Sequence, residues 1–298
     1  MSVQAVHPGL KGAETGGRQG WAPRLGLLAL SLIGGLAVFV FGYGFYDFLP
    51  TNNNPLYLAI LSGIFLALAL WLRRDQRGEK YWRAAYAFFT ASAALLLSTL
   101  MARYTDVLLD ALQLTTGTSQ GMAVAKSFEM LVVVASILLL TQLSGADLGS
   151  IFLQRGNLKL GLGVGALVLI NLGTAALLFL TPRFSSMGTF GAAIAWGLVF
   201  SCANSFMEEL LLRGIFLKRF TPLLGAGSAV LVTSIVFSLM HAGAVYLTPF
   251  AVPFLVVNTL TLGLACGYLM MKADGIWGAV LIHAAADLFL FVALLANA

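Results

Sequence analysis

The sequence predicts an all-α fold of the polytopic membrane class, a bundle of about eight to nine transmembrane helices. Three observations carry this. Of the 298 residues 59% are apolar and only 10% charged, whereas a soluble domain runs at about a quarter charged. The apolar residues fall in runs long enough to cross a hydrocarbon core, which takes ~20 residues in a helix. A backbone in lipid must also satisfy its own hydrogen bonds, which leaves helices or closed barrels. These runs are too long and too uniformly apolar for the ~10-residue alternating strands of a barrel.

Nine spans follow in order: Leu25–Tyr46, Pro55–Leu72, Trp82–Met101, Met122–Gln142, Leu158–Leu180, Phe190–Phe220, Ala226–Val245, Phe250–Met271 and Ile276–Ala296. The sixth is long because its apolar pattern continues through a charged patch; a half-span dipping in and out there gives eight. Residues 1–23 are polar and Gly-rich without an apolar h-region, so they read as a disordered cytoplasmic tail and not a cleaved signal. Residues 24–144 form a four-span region with no recognisable motif, and 145–298 hold the chemistry.

Basic residues fix the orientation. Lys11, Arg18 and Arg24 precede the first span, and Arg73, Arg74, Arg77, Lys80 and Arg83 flank the loop after the second. Arg155 and Lys159, Lys218 and Arg219, and Lys272 fall at alternate later ends, against Arg103, Lys126 and Arg183 on the other side. The positive-inside rule then puts the N-terminus in the cytoplasm, and the short loops suit a prokaryotic plasma membrane. The net charge of +5 is explained by topology, and no nucleic-acid partner is expected. Cys202 and Cys266 lie inside apolar runs and predict no disulfide framework. Gly161 and Gly165, four apart, suit close helix packing; the Gly-x-Gly-x-x-Ala pattern they belong to lacks a preceding strand and is chance.

Ionisable residues at membrane depth are costly and mark sites or pathways. Seven stand out: Glu129, Glu208, Glu209, Arg213, His241, His283 and Asp287, six of them from Glu208 onward. Glu209 and Arg213 are four apart, stack on one helical face and can pair. Read alone, that pair is a structural clasp, and Glu209→Gln is expected to harm folding more than chemistry. Glu208 points ~100° away with no local partner, which leaves His241 and His283 as candidates. At ~1.5 Å per residue the depths of the three agree only to about 9 Å, so tilt or a kink is needed to bring them level. His283 and Asp287, again four apart, face the same side. Glu129 has Lys126 three residues earlier, which predicts a local ion pair.

Other protease signatures do not fit. No His-Glu-x-x-His and no Gly-x-Gly-Asp occurs. Gly117-Thr118-Ser119-Gln120-Gly121 fits Gly-x-Ser-x-Gly but lies between helices, where a nucleophile elbow has no strand to follow. Cys202 shows no electropositive setting for a thiolate and reads as a packing residue.

Glu208-Glu209-x-x-x-Arg213, Phe237-x-x-x-His241 and His283-x-x-x-Asp287, in that order and on apolar helices, resemble the motifs of the CPBP family, the CAAX proteases and bacteriocin-processing enzymes of the Abi type. Ala146-Asp147-Leu148-Gly149 resembles that family's entry to its core, so the resemblance spans roughly 145–295. It implies an intramembrane endopeptidase of the glutamic type. Glu208 with His241 would activate a water, and His283 and Asp287 would stabilise the oxyanion. Glu209 with Arg213 would be structural. The last position is commonly Asn in the family; an ionised Asp287 would repel an oxyanion, so it is protonated, buttresses His283, or ligates a metal. No cofactor is preferred; the alternative is Zn²⁺ on Glu208, His241 and His283, lowering the pKa of a bound water to about 7.

The expected substrate is a membrane-associated protein or peptide reached from the lipid bilayer. Two other classes stay open: a proton-coupled membrane transporter, against which no internal repeat is evident, and a non-catalytic scaffold or immunity protein.

Overall fold

Short polar side chains set where helices begin. In the computed structural model, which describes residues 21–43, 54–76, 78–243 and 252–295, Thr118, Asn157 and Ser186 each accept a backbone N–H three residues on. This satisfies donors that the first helical turn leaves unpaired. The Thr118 cap, taken up by Gly121 N–H at 3.1 Å, accounts for the Gly117–Gly121 string in structural terms.

The helices are α1 (Trp21–Gly35), continued by a π-helical segment Leu36–Val40, α2 (Asn54–Arg74), α3 (Glu79–Ala111), α4 (Ser119–Leu143), α5 (Leu158–Leu180) and α6 (Met187–Glu209). After α6 come a π-helical turn Leu210–Gly214, α7 (Leu217–Leu224), α8 (Ala226–His241), α9 (Val252–Ala273) and α10 (Trp277–Leu295). No strand occurs among the described residues.

Each expected span coincides with a helix, and eight helical stretches are long and apolar enough to cross a membrane. The expected long sixth span is real: α6, the π turn and α7 run continuously as Met187–Leu224. The exception is α8, whose 16 residues cover ~24 Å, less than the ~30 Å hydrocarbon core. Helix α3 outruns its expected span. Its 33 residues continue through Arg103, Asp106 and Asp110, because charges end an apolar pattern without breaking helical hydrogen bonds. Of the expected tail, residues 1–20 lie outside the described residues, as do the expected span ends Tyr46, Val245, Phe250 and Ala296.

Helix α10 sits at the centre, packed against α5, α6 and α9, while α4 bridges α3 and α6, and α8 lies between α9 and α1. One apolar core joins the two halves of the chain, running from Val38, Leu58 and Ile137 to Met207, Phe237, Met270 and Ala279. The expected close packing of Gly161 and Gly165 is against α10. A Cβ on Gly278 would lie 2.5 Å from the Gly161 carbonyl oxygen, and one on Gly165 would meet Leu281 Cβ at 2.7 Å.

At one end of the bundle the basic loops knit together. Asp147 caps the short 3₁₀ turn Leu148–Ile151 by accepting Ser150 N–H at 2.7 Å. Lys218 donates to the Gly149 carbonyl at 2.8 Å and pairs with Asp274 at 2.5 Å. Asn157 N–H donates to Ala273 O at 2.6 Å, and Ile276 N–H to Phe152 O at 3.1 Å. The Ala146–Gly149 string thus anchors the loop entering α5 to α7 and to the α9–α10 turn.

The Gly161–Gly278 approach leaves no room for a methyl group. Gly278→Ala is expected to cost about 1–3 kcal/mol by forcing α5 and α10 apart. Gly163→Ala, with nothing within 4 Å of its Cβ, should be neutral or slightly stabilising. Thermal unfolding of the two detergent-solubilised variants checks this, and equal midpoints would refute the packing argument.

Candidate active site

The site is built from the end of α6 outward. Glu208 and Glu209 close α6, and the next turn is π-helical, with Ile215 N–H bonded to Leu210 O five residues back. Such turns are rare and recur at functional sites. Here the wide turn carries Arg213, which is completely buried, as is Glu209.

Arg213 Nη1 donates to Glu209 Oε1 at 2.6 Å, so the expected pair forms. The guanidinium lies over the Phe237 ring, 4.4 Å from its centre. Its other edge faces α9, where a Cβ on Gly263 would come within 2.9 Å of Nη2. Gly263 therefore makes the space the guanidinium occupies.

The same oxygen, Glu209 Oε1, also accepts from His283 Nδ1 at 2.8 Å. The clasp therefore has a third member that spacing along α6 could not reveal, since His283 lies 74 residues away on α10. With its Nδ1 proton committed to Glu209, His283 turns Nε2 toward two other carboxylates. These are Glu208 Oε2 at 3.7 Å and Asp287 Oδ1 at 3.5 Å. Glu208 is buried, and its Oε2 has no hydrogen-bond partner among the described residues. Asp287 is held from its other oxygen: Asn204 Nδ2 donates to Oδ2 at 2.9 Å. Asn204 was missed in the sequence; it sits one helical turn before Glu208, and that i,i+4 spacing was the available signal.

His241 ends α8. Its Nδ1 is 2.8 Å from Phe237 O, and a carbonyl only accepts, so the proton belongs on Nδ1 and a neutral ring offers Nε2 as acceptor. The Phe237 ring packs edge-on against both imidazoles, 4.5 Å from His241 and 5.4 Å from His283 between centres. His241 lies close enough to Glu208 and Asp287 to interact with both electrostatically. The fold thus gathers Glu208 and His283, with His241 beside them, although their depths counted along straight helices disagree.

The remaining candidates fall as follows. Lys126 and Glu129 pair at 2.6 Å, as expected, and Tyr43 OH donates to the other carboxylate oxygen at 3.3 Å. Cys266 is buried, while Cys202, read as a packing residue, is exposed on α6. For the Zn²⁺ alternative, no group of three His, Cys, Asp or Glu among the described residues is arranged to hold a metal ion.

Fold and cluster together define a polytopic helical membrane protein with carboxylates and imidazoles gathered in its interior. Residues 189–289, from the first turn of α6 to just past Asp287, match the family model described as "Type II CAAX prenyl endopeptidase Rce1-like". The resemblance read from the motifs is thus shown over that segment, which holds Glu208, Glu209, Arg213, His241, His283 and Asp287. It supports a membrane endopeptidase function of the CAAX type in general. The first four helices, Ala146–Gly149 and α5 lie outside the match, which covers a shorter stretch than the expected 145–295. No curated protein and no solved structure matches the chain.

Glu209 touches both Arg213 and His283, so the expected pair is part of a three-membered contact. Arg213→Met leaves Glu209 charged and without its cation, and should cost about 3–5 kcal/mol. The double variant Glu209→Gln/Arg213→Met should recover part of that loss in unfolding measurements. A double variant no more stable than the single would mean the two charges do not compensate each other.

Proposed function

We propose that this protein is an intramembrane endopeptidase that hydrolyses a peptide bond in a membrane-associated protein or peptide. The observation that carries the reading is the convergence of Glu208, His283 and Asp287, with His241 alongside, inside a segment similar to CAAX endopeptidases. No packing role calls for three carboxylates around one imidazole inside a membrane, where each ionised group is costly.

In this mechanism Glu208 accepts a proton from a water molecule while the water oxygen bonds to the carbonyl carbon of the substrate. Its unbonded Oε2 is the base, and the Nε2 of His241 orients the second water proton. Negative charge grows on the substrate oxygen, and a protonated His283, held by Glu209 through Nδ1, presents Nε2–H toward it. Collapse breaks the C–N bond, and the proton held by Glu208 passes to the leaving nitrogen, releasing a carboxyl group and an amine. Each proton transfer of this kind is worth ~10²–10⁴-fold in rate. The Asn204 hydrogen bond and the 3.5 Å approach to His283 favour Asp287 as the group that positions His283. Water activation by Glu208 without a metal is the preferred version, with Zn²⁺ on Glu208, His241 and His283 as its competitor. A cytoplasmic N-terminus follows from the distribution of basic loops.

The direct test compares membrane and secreted protein termini between cells making wild type and cells making Glu208→Ala at matched abundance. A terminus seen only with wild type supports the reading and identifies the substrate; identical termini would overturn it and turn attention to ion flux. With that substrate and purified protein, Glu208→Ala should lose at least ~10²-fold in turnover. Glu209→Gln should lower turnover as well as stability, because His283 loses its anchor. Turnover that survives a strong chelator supports the metal-free version, and loss restored by Zn²⁺ reverses that choice.

A further inference from the structure

A cavity of ≈ 630 Å³ lies among the first four helices and α6, outside the family-matched segment except for Phe200. Most of its lining is apolar, but Ser98, Thr99, Asp106, Lys126, Glu129 and Tyr43 also border it, a polar set that is uncommon inside a membrane bundle. Lys126 and Glu129 keep 19% and 28% of their side chains exposed, although they lie ~10–15 Å along α4 from its start. Charged groups at that depth need either complete pairing or water, and partial exposure says that they face open space.

The cavity borders the helix that bears Glu208. Phe200, Asn204 and Glu208 are four apart in succession, so one face of α6 runs from the cavity wall, past the Asn204–Asp287 bond, to Glu208. Lys126 is close enough to interact electrostatically with both Glu208 and Asp287, and Tyr43 with Glu208. Glu129 is held from both oxygens, by Lys126 and Tyr43. This fixes Lys126 in place and leaves the remaining N–H bonds of its ammonium to donate elsewhere.

We propose that this cavity is the vestibule in which the substrate's polypeptide is seated, with Lys126 donating to peptide carbonyl oxygens next to the scissile bond. The inference rests on the endopeptidase reading and gives the first four helices a function within it. The occupant is a polar, extended peptide and not a hydrocarbon chain, because hydroxyls and an ion pair line the space and would lose their hydration to a lipid tail without replacement. A vestibule of this kind binds ground state and transition state alike, so its loss raises KM and leaves kcat.

Two measurements on the full-length protein in lipid nanodiscs test it. With the substrate identified by the terminus comparison, Lys126→Met/Glu129→Gln, which removes both charges together and leaves none unpaired, should raise KM about tenfold with kcat nearly unchanged. Separately, Ser98→Cys in a Cys202→Ala, Glu208→Ala background should react with a water-soluble thiol reagent. A library of short peptides should protect it and a prenyl alcohol should not. Protection by the prenyl alcohol alone would make the cavity a lipid pocket and overturn the proposal. Wild-type cleavage with unchanged KM in the double variant and no peptide protection would overturn the vestibule and leave the protease reading standing. No wild-type-specific cleavage of any substrate would remove the protease reading, and the vestibule with it.

Discussion

The Glu209 carboxylate is the pin on which the structure turns. An ion in a low-dielectric interior costs several kcal/mol unless it is paired and hydrogen-bonded. Glu209 meets that demand on one oxygen, Oε1, which accepts from Arg213 and from His283 at 2.6 and 2.8 Å, while its Oε2 and Arg213 Nε and Nη2 are buried without a hydrogen-bond partner among the described residues. Three helical elements are thereby tied together: the end of α6, the π turn after it, and α10. The surroundings follow from the same constraint. Phe237 supplies a ring face to the guanidinium, Gly263 supplies the space, and the wide turn carries Arg213 to its carboxylate. Removing any one leaves a buried charge short of a partner. A site whose first function is to solve an electrostatic problem also gains a rigid imidazole, because the hydrogen bond that offsets the charge of Glu209 fixes the tautomer and direction of His283.

Much of this was legible in the sequence, and the boundary is instructive. Spans were readable because lipid imposes a length and a composition on every crossing segment. The Lys126–Glu129 and Glu209–Arg213 pairs were readable because their spacing lies within one helical turn. Contacts between helices were not readable: the Glu209–His283 and Asn204–Asp287 bonds span 74 and 83 residues. Depth counting along straight helices did not bring Glu208, His241 and His283 level. One departure it could not foresee is the π turn beyond Glu209. The length of α3 was missed for the opposite reason, since its charged last turns carry no apolar signal. Motif resemblance supplied what periodicity could not, the grouping of residues from separate helices into one set.

The two halves of the chain divide the labour unequally. The matched segment holds every member of the carboxylate–imidazole cluster, yet the apolar core does not stop at its edge: Ile137 and Val133 on α4 and Val38 after α1 share it with Met207 and Phe237. Helix α4 packs against α6, with Lys126 Nζ 5.9 Å from the centre of the Phe200 ring. In the proposed enzyme the N-terminal helices are therefore a wall of the reaction chamber.

Asp287 stands where the resembled family commonly has Asn, and its neighbours explain how a carboxylate is tolerated there. An amide at 287 could donate directly to an oxyanion. A carboxylate cannot, and it would oppose the growing charge unless it is engaged elsewhere. Here it is engaged twice, receiving the Asn204 amide on Oδ2 and facing His283 Nε2 from Oδ1. Asn204 supplies on α6 an amide where α10 has none, one turn before Glu208. When His283 carries a second proton, Asp287 and Glu209 flank the ring with one carboxylate at each nitrogen, and the charged donor is compensated without leaving the site. In the proposed hydrolysis, oxyanion stabilisation thus passes from residue 287 to His283. The cost is that the donor is aimed correctly only while both carboxylates keep their own partners, Arg213 for Glu209 and Asn204 for Asp287.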